Sequence, residues 1–403
     1  MEHSTVDQHA ATVRTLVDLQ LGSESVPLDD ALGRVTVADV TSPVDLPLFR
    51  NSQMDGFAVR AADTATTTAL PIAGEIAARA GSPAALEPGT AVRIMTGGIV
   101  PEGADAVVPV EDTIVAGDAV SIQHPRSAGE TVQILRPRQA GEYVRDRGSD
   151  LRAGGVLVAA GTVLAARHLA AIAAAGLATI TVRRLARVAV ITTGAELIAP
   201  GAQPRPGQVF DANQVALVAL VRSTGAVVTT AQRVPDDVEA LRTALTDSAA
   251  VSDLIITSGG ISKGEYEVVR ELLAPLGGAV EHLAMQPGGP QFTATFNGAP
   301  VVSFPGNPVS TQVSFVVFLR DLLLDAAGLP HPPRSRLPLA QAVDSVAGKR
   351  QFLRARVVNG RVELVSGPGS HLVVGMAAAD LLVDVPADTT RLEEGDTVET
   401  WLL

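Results

Sequence analysis

The 403-residue chain has no cysteine, 3% aromatic residues and one tryptophan. Without cysteine there is no disulfide framework, thiolate zinc site, iron–sulfur cluster or thiol nucleophile, so any metal must be held by oxygen or imidazole. Basic residues are also short, with 31 Lys+Arg against 43 Asp+Glu and a net charge of −12. With no Lys/Arg block and few aromatics there is nothing to neutralise a nucleic-acid backbone or stack its bases, which argues against nucleic acid as a partner. The N-terminal residues lack the basic and apolar regions of a secretory signal, giving a cytoplasmic expectation. Residues 155–182 are the most apolar run, but Arg167 and His168 interrupt it and Gly161 and Gly176 punctuate it. That pattern predicts a strand and a buried helix, not a membrane span.

Composition divides what is there. Residues 5–20 carry Val6, Val13, Leu16 and Val17 at helical spacing, and Pro27 opens a second short helix. From 36 to 142, short β-rich runs alternate with Gly- and Pro-containing turns, which predicts a small β-domain. From 187 to 328, strands and helices alternate, as in a mostly parallel sheet covered on both faces, where ligands bind at the carboxyl ends of strands. A Pro-rich linker then leads into a last β-rich segment.

Chemistry-bearing residues cluster at the predicted strand ends. SGGISKGE, 258–265, is a Gly-rich turn before a helix, where backbone amides favour phosphate; Ser258, Gly259 and Gly260 are its first residues. SFPGNPVS, 303–310, repeats the logic with Pro305, Gly306, Asn307 and Pro308, and Asn307 or Ser310 can cap the following helix. Glu196 of TTGAEL follows the first strand, Asp236 and Glu239 have capping-box spacing, and Glu265 and Glu267 follow the Gly-rich turn. Asp211 and Asn213 occupy another turn. Such carboxylates suit magnesium, which takes few of them and keeps water and phosphate oxygens. Earlier in the chain, Asp55-Gly56 is a hairpin signal and Thr96-Gly97-Gly98 sets a hydroxyl beside turn amides. Arg145 and Asp150 lie in the charged run YVRDRGSD. The seven histidines show no ligand spacing, and none is assigned to metal or catalysis.

MDGFAV, IMTGGIVPEGADAVVPVED, VRDRGSD, TTGAEL, SGGISKGE and SFPGNPVS, in this order, resemble the bacterial molybdopterin molybdenumtransferase family, which also includes the E domain of gephyrin. The resemblance runs from about Val6 to the last residues. It implies an elongated α/β multidomain subunit of four domains. These are a discontinuous helical domain (1–45 with 147–185), an inserted β-domain (46–146), a mostly parallel α/β molybdopterin-binding domain (186–329) and a C-terminal β-barrel (330–403). It further implies a homodimer that inserts molybdenum from molybdate into adenylated molybdopterin, with magnesium, to give molybdenum cofactor and AMP. Molybdopterin adenylyltransferase and acceptor molybdoenzymes are the implied partners. A non-catalytic paralogue serving as carrier or scaffold is the alternative.

On the family pattern, Asp55 and Thr96 of one subunit face Glu196, Asp236 and Glu267 of the other, the last three holding the metal. Arg145 and Asp150 line the same cleft. The backbone at Gly259 and Gly260 and the Pro305 to Pro308 loop receive pterin and phosphates. The chain departs from that pattern at Ala195 (commonly Asp), Glu267 (Asp), Gln286 and Gly289 (both Lys in KPGKP) and Asp380 (Asn). Lys263, within ISKGE, either restores one of the two lost charges beside the same site or is an outward surface lysine.

Overall fold

In the computed structural model, which describes residues 4–66, 69–116, 130–261 and 267–403, the chain divides into two units. One contains Gly33–Val37 and Thr181–Leu403 with the N-terminal residues to Val26; the other contains Pro27–Leu32 and Ala38–Ile180.

The larger unit is built on a six-stranded sheet in the order Val227–Val234, Arg187–Thr193, Leu254–Ser258, Ala299–Phe304, Pro290–Phe296, Ala279–His282. The first four strands are parallel, and Pro290–Phe296 runs antiparallel to both of its neighbours, so Ala279–His282 runs with the first four. Strand periodicity of two sends successive residues of Arg187–Thr193 to opposite faces. Val188 and Val190 pack with Leu217, Phe304 and Phe315. Ala189 and Ile191 pack with Leu241, Leu245 and Val269. Helices Ala212–Ser223 and Pro308–Phe318 bring Leu217 and Phe315 to one face; Val238–Ala249 and Val268–Leu273 bring Leu241, Leu245 and Val269 to the other. Both faces are therefore covered, and function is left to the loops at the strand ends.

The first helix, Val6–Leu16, starts from a capping box in which the Thr5 hydroxyl accepts the Gln8 N–H at 3.1 Å and the Gln8 amide oxygen accepts the Thr5 N–H at 2.8 Å. It inserts Val6, Val13 and Val17 into the Val188 face of the α/β core. The sequence reading groups this helix with the discontinuous helical domain; its apolar stripe instead finds its burial on the α/β sheet. His9 on the same stripe is 1% exposed, with Nδ1 at 3.1 Å from Glu281 and its ring edge-on to Phe318.

Burial pushes the His9 pKa below its ordinary 6.5 in spite of Glu281. The unfolded chain therefore takes up this proton first as pH falls, so the contribution to stability is present above about pH 6.5 and lost on acidification below it. Thermal unfolding between pH 7.5 and 5 is expected to show a fall in Tm that His9→Gln flattens; parallel slopes in both proteins would contradict this.

The C-terminal sheet runs Met285–Gln286, Arg350–Val358, Leu381–Val385, Thr397–Leu402, Arg334–Pro338, with Arg361–Leu364 paired to Arg350–Val358. The Ala340 N–H donates to the Val362 carbonyl at 2.9 Å and Leu339 bridges Val362, so the sheet curls until its edges meet around Leu339, Leu353, Val362 and Val383. Its first strand, Met285–Gln286, comes from the α/β segment and pairs with Arg350 and Gln351. Arg350 locks this seam, donating to Asp384 at 2.8 and 2.6 Å and to Asp7 at 2.9 Å.

The smaller unit holds a six-stranded sheet in the order Ala106–Pro109, Gly56–Val59, Ala91–Ile94, Ala69–Ile76, Thr131–Ile134, Thr113–Ala116. Gly56–Val59 is buried at every position because Phe57 and Val59 face one core and Ala58 the other. Helix Ala166–Ala174 follows strand Val156–Val158 and ends before Gly176, which has φ +79°, as the sequence predicts. Pro27 opens only the 3-10 turn Leu28–Asp30, shorter than expected. Among the described residues no helix is long and apolar enough to cross a membrane.

Candidate active site

In the smaller unit the two-residue strand Asn51–Ser52 gathers three distant motifs. It pairs with Val144–Arg145, and the Gly97 N–H donates to the Ser52 carbonyl at 2.9 Å while the Ser52 N–H donates to Gly98 at 3.0 Å. The turn at Thr96 is thus laid beside the MDGF turn, which is not the expected hairpin: Asn51–Ser52 pairs with Val144–Arg145, and Gly56–Val59 pairs with Ala91–Ile94 and Ala106–Pro109. Asp55 Oδ1 accepts both the Thr96 N–H at 2.6 Å and the Thr96 hydroxyl at 2.7 Å. These two bonds hold the Asp55 carboxyl below the usual carboxylate range. Arg145 Nη1 reaches Asn51 Oδ1 at 3.4 Å. Asp150 sits in the next turn, where its N–H bonds the Leu46 carbonyl; its exposed side chain makes no hydrogen bond to Asp55, Thr96 or Arg145.

In the larger unit, strand Arg187–Thr193 ends in the turn at Gly194, Ala195 and Glu196. Asp236 Oδ2 accepts the Ala195 N–H at 2.9 Å. The Glu196 carboxylate folds back over Gly194, its oxygens 2.7 and 2.8 Å from where a Cβ at 194 would stand. Two carboxylates from separate strand ends therefore share one turn. Capping of helix Val238–Ala249 falls to Asp237, which accepts the Ala240 N–H at 2.7 Å, and this releases Asp236 for the turn. The capping-box reading of Asp236 and Glu239 is corrected accordingly. Glu267 precedes helix Val268–Leu273 and makes no side-chain cap bond. Among the described residues, no three His, Asp or Glu side chains form a metal-holding cluster. Glu196 and Asp236 still suit a hard divalent ion, which needs few protein carboxylates when phosphate and water complete its shell. Asp211 does not join them: it is 1% exposed and accepts from Thr192 at 2.6 Å, the Gln214 N–H at 3.0 Å and Arg233 at 3.2 Å. Lys263 and Glu265 lie outside the described residues.

The glycine turn has the expected cradle form. Gly259 and Gly260 have φ of +95° and +68°, and a Cβ on Gly259 would stand 2.6 Å from the Thr193 carbonyl. The buried Thr193 hydroxyl beside them has no partner among the described residues, leaving a free polar atom at a site shaped for a ligand. Gly306 approaches closely, with its Cβ position 3.4 Å from Gly259 Cα. The Ser258 hydroxyl, by contrast, is buried, accepting from Asn213 at 2.9 Å and meeting Thr311 at 3.0 Å; Asn213 also bonds the Gly306 carbonyl at 2.7 Å. Ser258 ties the two loops together and does not offer its side chain to a ligand. Gly259→Ala is expected to cost about 2–3 kcal/mol through both contact and φ, a fall of roughly 5–10 °C in Tm; an unshifted melting curve would contradict this packing.

Pro305 and Asn307 also line a pocket of about 560 Å³ whose far wall comes from the C-terminal barrel, through Lys349, Pro368, Ser370 and His371. Asn307 precedes helix Pro308–Phe318 without a side-chain cap bond. Gln286 and Gly289 line the same pocket. The Gln286 amide oxygen is occupied by Gln351 at 2.5 Å. Lys349 and two histidines, His282 and His371, are the basic side chains in this lining. Sequence reasoning missed all three, because they come from two segments with no common spacing; the Lys349-Arg350 pair before a strand was the only local signal.

Three family descriptions match along the chain: the MoeA N-terminal region (domain I and II) over 4–176, a probable molybdopterin binding domain over 189–325, and the MoeA C-terminal region (domain IV) over 336–403. Molybdopterin molybdenumtransferase 2 of Mycobacterium tuberculosis (strain ATCC 25618 / H37Rv) is 41% identical, covering 94% of both chains. Molybdopterin molybdenumtransferase of Nostoc sp. is 33% identical, covering 95% of this chain and 89% of its own. The crystal structure of the molybdopterin biosynthesis MoeA protein from Pyrococcus horikoshii matches with a TM-score of 0.79 at 30% identity, over 100% of this chain and 99% of that one. With three family descriptions matching along it and relatives aligned over nearly its whole length, the chain belongs to the molybdopterin molybdenumtransferase family.

Proposed function

We propose that this protein is a transferase of molybdenum cofactor biosynthesis that inserts molybdenum from molybdate into adenylated molybdopterin and releases AMP. The observation that carries the reading is the turn shared by Glu196 and Asp236, next to a glycine cradle, in a chain that is 41% identical to a protein named molybdopterin molybdenumtransferase. Gly259, Gly260 and the Pro305 to Pro308 loop present backbone to the pterin and its phosphates, with the unpartnered Thr193 hydroxyl as a further donor. Lys349, His282 and His371 line the pocket for oxyanions that Gln286 and Gly289 no longer serve with charge. Asp236 shapes the turn and, with Glu196, would hold magnesium; Glu267, expected from the sequence as a third ligand, forms no three-carboxylate cluster with them among the described residues. When bound, magnesium offsets phosphate charge and polarises the anhydride linking pterin phosphate to AMP. Asp55 accepts both hydrogen bonds of Thr96, which fixes the turn and the orientation of its hydroxyl.

The finer parts of the proposal are a cytoplasmic homodimer, with Asp55, Thr96, Arg145 and Asp150 of one subunit serving the carboxylates of the other, fed by a molybdopterin adenylyltransferase and emptied by acceptor molybdoenzymes. The shared turn of Glu196 and Asp236 and the Asp55–Thr96 bonds support the catalytic reading over the carrier or scaffold one. Incubation with adenylated molybdopterin, molybdate and magnesium is expected to activate a molybdenum-free acceptor enzyme. Failure to activate it, with the pterin bound, would overturn the proposal.

A further inference from the structure

Helix Ala212–Ser223 begins with two buried polar side chains, Asp211 at its N-cap and Asn213 in its first turn. Asp211 is held from three sides, by the Thr192 hydroxyl, the Gln214 N–H and Arg233. Thr192 and Arg233 are register partners on adjacent strands, so the helix start is tied to two strand ends and Asn213 is held in place with it. Asn213 then reaches two loops through one atom. Its Nδ2 donates to the Ser258 hydroxyl at 2.9 Å and to the Gly306 carbonyl at 2.7 Å, while its Oδ1 has no partner among the described residues. The orientation of the amide follows from Gly306, because a backbone carbonyl only accepts.

The bonds continue beyond Ser258 in one direction. The Thr311 hydroxyl donates to the Pro305 carbonyl at 2.7 Å, so the Ser258 hydroxyl, having accepted from Asn213, donates to Thr311 at 3.0 Å. Strand pairing between the two segments ends at Ser258 and Phe304. Past that point the loops are in backbone contact: the Gly259 N–H donates to the Phe304 carbonyl at 3.1 Å, and a Cβ on Gly306 would stand 3.4 Å from Gly259 Cα. Asn213 spans this contact, with one bond to each side of it.

Resting on the functional reading above, we propose that Asn213 is a positioning residue for adenylated molybdopterin. It holds the glycine turn and the Pro305 to Pro308 loop at one fixed separation, so that their backbone groups meet the ligand's phosphates as a preformed surface. Asparagine suits this task because one short amide nitrogen supplies two hydrogens in diverging directions. Aspartate, almost the same size, supplies none and would set a carboxylate oxygen against the Gly306 carbonyl.

The test uses the full-length protein with adenylated molybdopterin. Its readouts are calorimetric Kd, KM and kcat for AMP release, and hydrogen exchange at the amides of Gly259, Gly260, Gly306 and Asn307. Asn213→Ala is expected to raise Kd and KM about tenfold, to change kcat by less than about threefold and to speed exchange at those amides. Ser258→Ala, which removes one of the two bonds and keeps the one to Gly306, is expected to raise Kd about threefold. Asn213→Asp is expected to be at least as impaired as Asn213→Ala, whereas a space-filling role would leave it near wild type. Should the Asn213 variants not fold, Ser258→Ala carries the test. Wild-type Kd in Ser258→Ala and Asn213→Asp would overturn the proposal, as would a loss confined to kcat, or weakened binding with exchange unchanged. Wild-type protein that binds adenylated molybdopterin and releases no AMP would overturn the functional reading alone, since Kd and exchange still decide the role of Asn213. Absence of binding by the wild type would overturn both.

Discussion

Replacing Asp236 by asparagine is expected to reduce molybdate-dependent AMP release by roughly 100-fold or more with little change in stability. The side-chain oxygen that accepts the Ala195 N–H at 2.9 Å survives in asparagine, so the turn at Gly194 to Glu196 keeps its shape. Only the negative charge goes, and with it half of the Glu196–Asp236 pair proposed for a divalent ion. Asp236→Ala removes the acceptor as well and is expected to be worse, with turnover lost and Glu196 released from its place. The neighbouring Asp237 provides the control. It caps helix Val238–Ala249, so Asp237→Ala should cost about 1 kcal/mol of stability and leave turnover near normal. Raising magnesium should partly restore Asp236→Asn, visible as a shifted magnesium dependence of AMP release. An unchanged dependence with normal turnover would remove Asp236 from the site.

Asp55→Ala is the second large effect, expected at roughly 100- to 1,000-fold in turnover. Both hydrogen bonds of the Thr96 backbone and hydroxyl end on one oxygen of Asp55, at 2.6 and 2.7 Å. Removing it frees the turn and lets the hydroxyl rotate, so the loss should appear in kcat more than in KM. Both residues are exposed, so the melting temperature should hardly move. Since the two bonds keep the carboxyl below its usual range, Asp55 stays ionised across pH 5–9 and contributes no inflection to the rate profile there. Asp55→Asn retains an acceptor oxygen and is expected to lie between wild type and alanine. Near-normal turnover in both Asp55→Ala and Thr96→Ala would exclude this pair from the chemistry.

The α/β layer was legible in the sequence because its strands are uninterrupted apolar runs and its helices carry caps and glycine stops. Val188 and Ile191 declare a strand buried on both faces, and the parallel order follows from alternation. The strand-end motifs were equally readable, since glycine at 259 and 260 is demanded by backbone geometry that no other residue adopts cheaply. What escaped were choices made between neighbours in space. Asp236 and Asp237 are chemically identical, and only the angle of the helix start decides that Asp237 caps and Asp236 reaches Ala195. Ser258 looks like a ligand-facing hydroxyl in a glycine turn, yet the partners that draw it inward, Asn213 and Thr311, lie 45 and 53 residues away. Lys349 immediately precedes a strand, Arg350–Val358, that reads only as barrel core. Its bearing on the pocket arises because Met285–Gln286 is recruited into that barrel's sheet, a pairing across more than 60 residues that no local pattern encodes.

The central claim is transfer: adenylated molybdopterin and molybdate are consumed together. It is tested most directly by following AMP release from adenylated molybdopterin on the purified protein, with magnesium, as molybdate is varied. The account predicts release that saturates with molybdate and matches, mole for mole, the molybdenum retained on the pterin. Adenylated molybdopterin bound tightly, with AMP retained at every molybdate concentration, would contradict it.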